Sequence, residues 1–154
     1  MTDITGDITL DLIVADTNVV VQGMKSLTGA SGYILTGMIE GTIRFAMSPA
    51  VILEYEEVLN RDEVWQGRKP PQQTIDVVLD VLCDRCVPAD LQYTFRPFLN
   101  DPDDDLFIDC ALAAGARLVV TTDKHFQHPA VQGFGLKAMR PGEYVAELRR
   151  ERRM

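Results

Sequence analysis

Short apolar runs that end on an aspartate constrain this chain more than any other feature of its sequence. Leu10–Asp16 has the sequence LDLIVAD, and Arg117–Asp123 has the sequence RLVVTTD. Apolar, partly β-branched runs of this length that stop at polar residues indicate buried strands. Helical patterns lie between these runs. The sequence therefore predicts an α/β fold, a three-layer α/β/α sandwich with a central, mostly parallel sheet.

Proline, glycine and serine mark the boundaries of the other predicted elements. A helix within residues 28–42 is expected to stop at Gly41. After a strand over Ile43–Ser48, Ser48 is placed to cap a helix that begins at Pro49 and continues to about Val64. We expect a loop after the first strand. Further elements are predicted as helices over 72–85, 103–116 and 141–153 and as short strands near 86–87 and 135–140.

Length and charge limit the classes of protein that the chain can be. A chain of 154 residues predicts a single domain over 1–154, with a core at about 10–145 and a C-terminal helix with a basic tail at 141–154. No apolar run is long enough for a membrane helix, and no basic leader precedes the first apolar run, so we expect a cytoplasmic protein. The net charge of −8 argues against a broad basic surface for duplex nucleic acid.

Acidic residues fall where a parallel sheet would bring them together. Asp16 and Asp123 end strands, Glu54 or Glu56 lies in the helix after Pro49, and Asp101–Asp105 contain four aspartates at the start of another helix. Converging carboxylates repel one another unless a cation lies among them, and hard oxygen ligands favour Mg²⁺ or Mn²⁺. Each acid alone also has a structural explanation as a turn residue, a helix-dipole partner or a solvated helix position. Only the combination indicates a metal site.

Three segments resemble the motifs of the PIN-domain ribonucleases. LIVADTNVVV resembles their opening strand, SPAVILEYEEVLNR the helix after their second strand, and DPDDDLFIDCALAAGARLVVTTDKHF their closing block. The resemblance spans about residues 10–145, with the motifs in order. The subgroup most similar contains the VapC-like toxins of toxin–antitoxin pairs.

The resemblance implies four metal-binding and catalytic acids. Asp16 matches the first, Glu54 the second because it directly precedes a tyrosine, and Asp123 the last. For the third we choose Asp104, which lies three residues before Phe107 and seven before a small residue, so that these positions share one helix face. Asp105 and Asp101 remain alternatives. Asn18 and Thr121 match positions that would hold the first and last acids in place.

The implied function is Mg²⁺- or Mn²⁺-dependent cleavage of single-stranded or structured RNA, with the acids holding the ion and no side chain attacking the phosphorus. A cognate antitoxin and a homodimer are implied by the same likeness.

Two other functions remain open. The first is a PIN-like scaffold that binds RNA or protein without cleaving. The second is a phosphatase or nucleotide-binding enzyme, although the chain lacks a Gly-rich phosphate loop and its first strand ends in DTN rather than D-x-D. Trp65 with Arg61 and Arg68 could form a stacking edge for bases, but we favour a packing role or a dimer contact for this tryptophan.

Overall fold

A computed structural model of the chain describes residues 10–89, 102–123 and 135–152, with the side chains of 102–105 outside the description. In this part of the chain the strands are β1 Leu12–Ala15, β2 Arg44–Met47, β3 Val87–Pro88, β4 Leu118–Val120 and β5 Lys137–Met139. The α-helices there are α1 Thr17–Lys25, α2 Ala30–Glu40, α3 Pro49–Leu59, α4 Gln72–Arg85, α5 Pro102–Ala114 and α6 Pro141–Arg152. A 3₁₀ helix covers Asp62–Trp65.

The strands form one sheet in the order β3-β2-β1-β4-β5, and neighbouring strands are parallel. The central pairing joins β1 to β4 in the register Ile13↔Leu118, Val14↔Val119 and Ala15↔Val120. Both of these strands are almost completely buried, as expected for a parallel sheet that helices cover. The α/β fold with a parallel sheet predicted from the sequence is confirmed.

Several helix boundaries have the local causes that the sequence predicts. Ser48 caps α3, because its side-chain oxygen accepts a hydrogen bond from the Val51 N–H at 3.2 Å, and Pro49 is the first helical residue. Gly41 ends α2 in the left-handed conformation with φ of 87°. No helix among the described residues is long and apolar enough to cross a membrane.

Two boundary predictions are wrong. The first strand does not lead into a loop, because α1 begins directly after Asp16, which occupies the N-cap position. The helix that begins at Pro49 does not continue to Val64. It ends at Leu59, where the Glu56 carbonyl accepts hydrogen bonds from both the main-chain N–H of Asn60, at 3.2 Å, and the Asn60 side chain, at 2.7 Å.

Trp65 has a packing role. Its side chain is 2% exposed, and its indole Nε1 donates to the Leu59 carbonyl at 2.9 Å, which satisfies one of the free carbonyls at the end of α3. A side chain this buried has no face available for a base, so the stacking alternative is wrong.

Candidate active site

The strand order reverses between β1 and β4, and this position organises the candidate site. The chain adds β2 and β3 on one side of β1, then β4 and β5 on the other side. In parallel sheets the carboxyl ends of two such strands border a crevice in which ligands bind. Asp16 directly follows β1, and Thr121 to Asp123 directly follow β4. The fold therefore brings the first and last predicted acids to one edge of the sheet.

The Thr121 hydroxyl connects the two strand ends. It donates a hydrogen bond to Asp16 Oδ2 at 2.6 Å and accepts one from the Asp123 main-chain N–H at 2.9 Å. Thr121 is buried, and its own N–H donates to the Met139 carbonyl of β5 at 2.9 Å. The Asp16 N–H donates to the Val120 carbonyl at 2.9 Å. Asp16 is thus fixed by main-chain and side-chain contacts from β4.

The Asp16 carboxylate lies in an environment that disfavours its own charge. Asp16 is 8% exposed, and its burial is the largest cause that raises the pKa of its carboxyl above the ordinary value. The negative charge of Asp123 raises this pKa further, whereas the hydrogen bond from Thr121 lowers it. A cation at this edge would reverse the penalty, because it would stabilise both carboxylates.

The first residues of α1 complete the surroundings of Asp16. The main-chain N–H groups of Thr17 and Asn18 lie close enough to lower the pKa of the Asp16 carboxyl, although neither forms a capping hydrogen bond of standard geometry. The Asn18 side chain is exposed, so its main chain is the part that faces Asp16. Thr17 is buried, and its hydroxyl has no hydrogen-bond partner within the part of the chain that the structure describes.

Tyr55 ties α3 to the end of β1. Its hydroxyl is buried and donates to the Ala15 carbonyl at 2.5 Å, one residue before Asp16. Glu54, the preceding residue, is half-buried and close enough to Arg61 to raise the pKa of that guanidinium, behind the larger effect of Glu57.

The other glutamates of α3 are exposed and have partners elsewhere. Glu57 forms an ion pair with Arg61. Glu56 lies near Cys83 of α4, where its charge contributes to a raised pKa of the thiol, after burial as the main cause. Among the three glutamates, Glu54 is therefore the least exposed to solvent.

The third predicted acid lies at the start of α5. Asp104 and Asp105 are in the first turn of this helix, but their side chains, and Asp101 entirely, lie outside the described part of the chain. Asp109 was not among the predicted site residues. It is 2% exposed on the same helix, and α5 packs against β1, β2 and β4. A charged residue within the apolar run LFIDCALAA was the available signal, because aspartates are rarely fully buried unless they are paired.

The donor chemistry at the sheet edge fits a hard divalent cation. Two carboxylates approach each other there, and a buried threonine hydroxyl without a partner lies beside one of them. Among the described side chains, no three histidines, cysteines or acids are grouped closely enough to hold a metal ion. The described residues bring together two of the four predicted acids.

Comparison with known proteins adds evidence that is independent of this geometry. The family model described as "PIN domain" matches residues 12–125. One solved structure with a similar fold is that of VapBC2 from Rickettsia felis bound to a DNA fragment from their promoter. The match has a TM-score of 0.54 at 15% sequence identity, and it covers 84% of this chain and 98% of that chain. Comparison with curated proteins gives no match.

Proposed function

Because this chain belongs to the PIN domain family, we propose that it is a metal-dependent endoribonuclease that hydrolyses phosphodiester bonds of single-stranded RNA. The observation that carries the proposal is the convergence of Asp16 and Asp123 at the strand-order reversal, joined by the Thr121 hydroxyl. Metal-dependent phosphodiester hydrolysis uses hard oxygen ligands gathered where a ligand can bind, as at the carboxyl edge of a parallel sheet. The carboxyl edge of β1 and β4 carries such ligands in Asp16 and Asp123.

We assign the metal-binding and catalytic role to Asp16, Glu54, Asp104 and Asp123. Asp105 remains the alternative for the third position. When bound, Mg²⁺ or Mn²⁺ would supply the positive charge that activates water and stabilises the phosphoryl oxygens.

The remaining residues position these acids. Thr121 holds one oxygen of the Asp16 carboxylate and, through the Asp123 N–H, the main chain that carries the last acid. The start of α1 adds the partial positive charge of a helix N-terminus beside Asp16. Asn18 contributes through its main chain. Such contacts reduce the reorganisation that ligand binding would otherwise require.

In the solved structure, VapBC2 is bound to a DNA fragment from the promoter of its genes. By this likeness we propose that the present chain is the toxin of a toxin–antitoxin pair that acts in the cytoplasm, that it binds a cognate antitoxin, and that it forms a homodimer. The alternative is a PIN-domain scaffold that binds RNA or protein without cleaving.

Metal removal tests the proposal directly. The purified chain should cut an RNA that contains single-stranded loops when Mg²⁺ or Mn²⁺ is present, and a chelator should slow cleavage by at least about 100-fold. Gel electrophoresis of end-labelled RNA measures the rate, and addition of excess metal should restore it. A single-stranded DNA of the same sequence serves as the comparison substrate. Cleavage that persists in the chelator, or no cleavage with either metal, would show that the proposal is wrong.

The Thr121 hydroxyl is the contact through which the site can be weakened without removing an acid. Thr121→Val keeps the shape of the side chain but leaves the Asp16 carboxylate and the Asp123 N–H each without this partner. We expect cleavage to fall by about 10- to 100-fold and the free energy of unfolding to fall by about 1–2 kcal/mol.

Two variants control this experiment. Thr122→Val changes the exposed neighbour and should leave both quantities close to those of the wild type. Thr121→Ser retains the hydroxyl and should recover most of the activity. If Thr121→Val cleaves as fast as Thr121→Ser, the hydroxyl does not position the site.

A further inference from the structure

A groove between α2 and α6 has no role in the site described above. Its volume is about 620 Å³. One wall includes Ala30, Tyr33, Gly37 and Glu40 of α2, and the other includes Gly142, Val145, Ala146, Arg149 and Arg152 of α6. We call this feature the α2–α6 groove. Half of it comes from a helix beyond residues 12–125, so the family match does not cover it.

The lining residues follow helical spacing on both walls. On each helix they recur every three or four positions over ten residues, which corresponds to about 15 Å, or three turns, at 1.5 Å per residue. A groove of this length between two helices matches the apolar face of a third helix of similar length.

Part of the groove lining is apolar, and one wall leaves open space. Leu27, which lines it, is 69% exposed and is among the exposed large hydrophobic side chains of the described residues. A Cβ built on Gly142 would meet no atom within 4 Å, so this wall leaves free space for an occupant. The exposed Ala146 adds apolar surface beside it, whereas Val145 is mostly buried in the core.

Two arginines of the groove are held in place by other contacts but have no anionic partner in the described part of the chain. Arg149 lies over the Tyr33 ring at 5.2 Å from its centroid, and Arg152 donates to the Tyr33 hydroxyl at 3.2 Å and to the Thr42 carbonyl at 3.0 Å. Neither guanidinium lies within ion-pair distance of a carboxylate among the residues that the structure describes, whereas Arg150, in the same turn, pairs with Glu147. Arginines without a carboxylate partner among the described residues are notable in a chain with 23 acids and 15 bases.

We propose that the α2–α6 groove binds an amphipathic helical segment of a partner protein, with the segment's apolar face on Leu27 and Ala146 and its carboxylates on Arg149 and Arg152. Charge complementarity with these arginines selects an acidic segment. RNA fits less well, because Leu27, Ala30 and Ala146 in the lining offer its phosphates no polar contact. This binding does not depend on the proposed nuclease activity, since the groove shares no residue with the acidic site.

A titration with defined peptides tests the groove. The probe is a 12-residue helical peptide with leucines on one face and glutamates beside them, and its comparison peptide has lysine in place of each glutamate. We expect the acidic peptide to shift the amide resonances of Tyr33, Thr36 and Ala146 in ¹⁵N-labelled protein and to saturate below about 1 mM. The lysine peptide should bind at least about 5-fold more weakly.

Matched variants assign the effect to the groove. Arg149→Glu and Arg152→Glu should each weaken binding by about 5- to 10-fold, whereas Arg150→Glu, in the same turn but outside the groove, should change it by less than about 2-fold. Asp16→Asn should bind the peptide like the wild type, so failure of the nuclease proposal would leave this result unchanged. No saturable shift with the acidic peptide, equal binding of both peptides, or shifts of these resonances by oligouridylate in chelator instead of the peptide would each overturn the proposal.

Discussion

Asp16→Asn is expected to abolish metal-dependent RNA cleavage, with a loss of at least about 1000-fold relative to the wild type. The substitution keeps the size and most hydrogen bonds of the side chain but removes its negative charge. That charge lies at the end of the central strand, 8% exposed and beside a second acid. No described neighbour is placed to replace it, because Asp123 occupies its own position at the end of β4.

The same variant should remain folded. In the metal-free protein the charge of Asp16 is disfavoured by burial and by Asp123, so its removal relieves a penalty and partly offsets any weakened hydrogen bond. We expect the free energy of unfolding without metal to fall by no more than about 1 kcal/mol. The wild type should gain about 2.7 kcal/mol of stability when Mg²⁺ or Mn²⁺ is present at 100 times its Kd, and the variant should lose most of this gain. Thermal unfolding with and without metal measures both effects.

Asp80→Asn is the matched control, because Asp80 is an exposed acid on α4, away from the strand ends. It should cleave RNA at the wild-type rate and retain the metal-dependent stabilisation. If Asp16→Asn cleaves as fast as Asp80→Asn, Asp16 has no catalytic role and the site is misplaced. If Asp16→Asn unfolds without metal, its loss of activity would be a stability effect, and the assignment would then depend on Thr121→Val.

Gly32→Ala should destabilise the fold by about 3 kcal/mol. Gly32 is buried in α2, where the helix packs against the turn that follows α1. A Cβ at this position would overlap the carbonyl oxygens of Ser26 and Leu27 and would lie 2.5 Å from the Leu27 carbonyl carbon. These are main-chain atoms, which cannot move aside as the end of a flexible side chain can. Urea unfolding followed by circular dichroism measures the loss, which corresponds to a fall in Tm of about 6–12 °C.

Gly142→Ala makes the same change in a helix where the space is open. No atom lies within 4 Å of the new Cβ, and alanine is the better helix former, so the free energy of unfolding should rise by about 0.5–1 kcal/mol. The opposite signs of the two substitutions separate overlap from helix propensity. If both glycine variants changed stability in the same direction and by the same amount, the close packing at Gly32 would not be the cause.

The sequence was sufficient where structure depends on local chemistry. The buried strands ending at Asp16 and Asp123, the cap at Ser48 and the stop at Gly41 all follow from residues within a few positions of the feature. The start of α1 at Asp16 was missed, because an Asp-Thr-Asn sequence serves a loop and a helix N-terminus equally well. The early end of α3 was missed, because beside the Asn60 cap it involves the indole of Trp65, six residues beyond the carbonyl that it contacts.

Tertiary contacts account for what sequence analysis could not predict. The α2–α6 groove exists because two helices about 110 residues apart pack together, as the Arg152 contacts with Tyr33 and Thr42 show. Asp109 was overlooked because helical spacing alone does not distinguish a buried acid from one at the edge of an apolar face. The choice between Asp104 and Asp105 concerns adjacent helix positions about 100° apart, and the side-chain directions at this helix start decide it.

The pairing of β1 with β4 has a consequence for the time course of synthesis. Asp16 and Thr121 are separated by 105 positions, and the hydrogen bond between them closes that whole length of chain. At about 5–20 residues per second, a ribosome takes roughly 5–20 s to travel from one to the other. Throughout that interval the nascent polypeptide carries the first acid without the strand that holds it. The proposed nuclease site therefore cannot form in translation intermediates that end before Thr121.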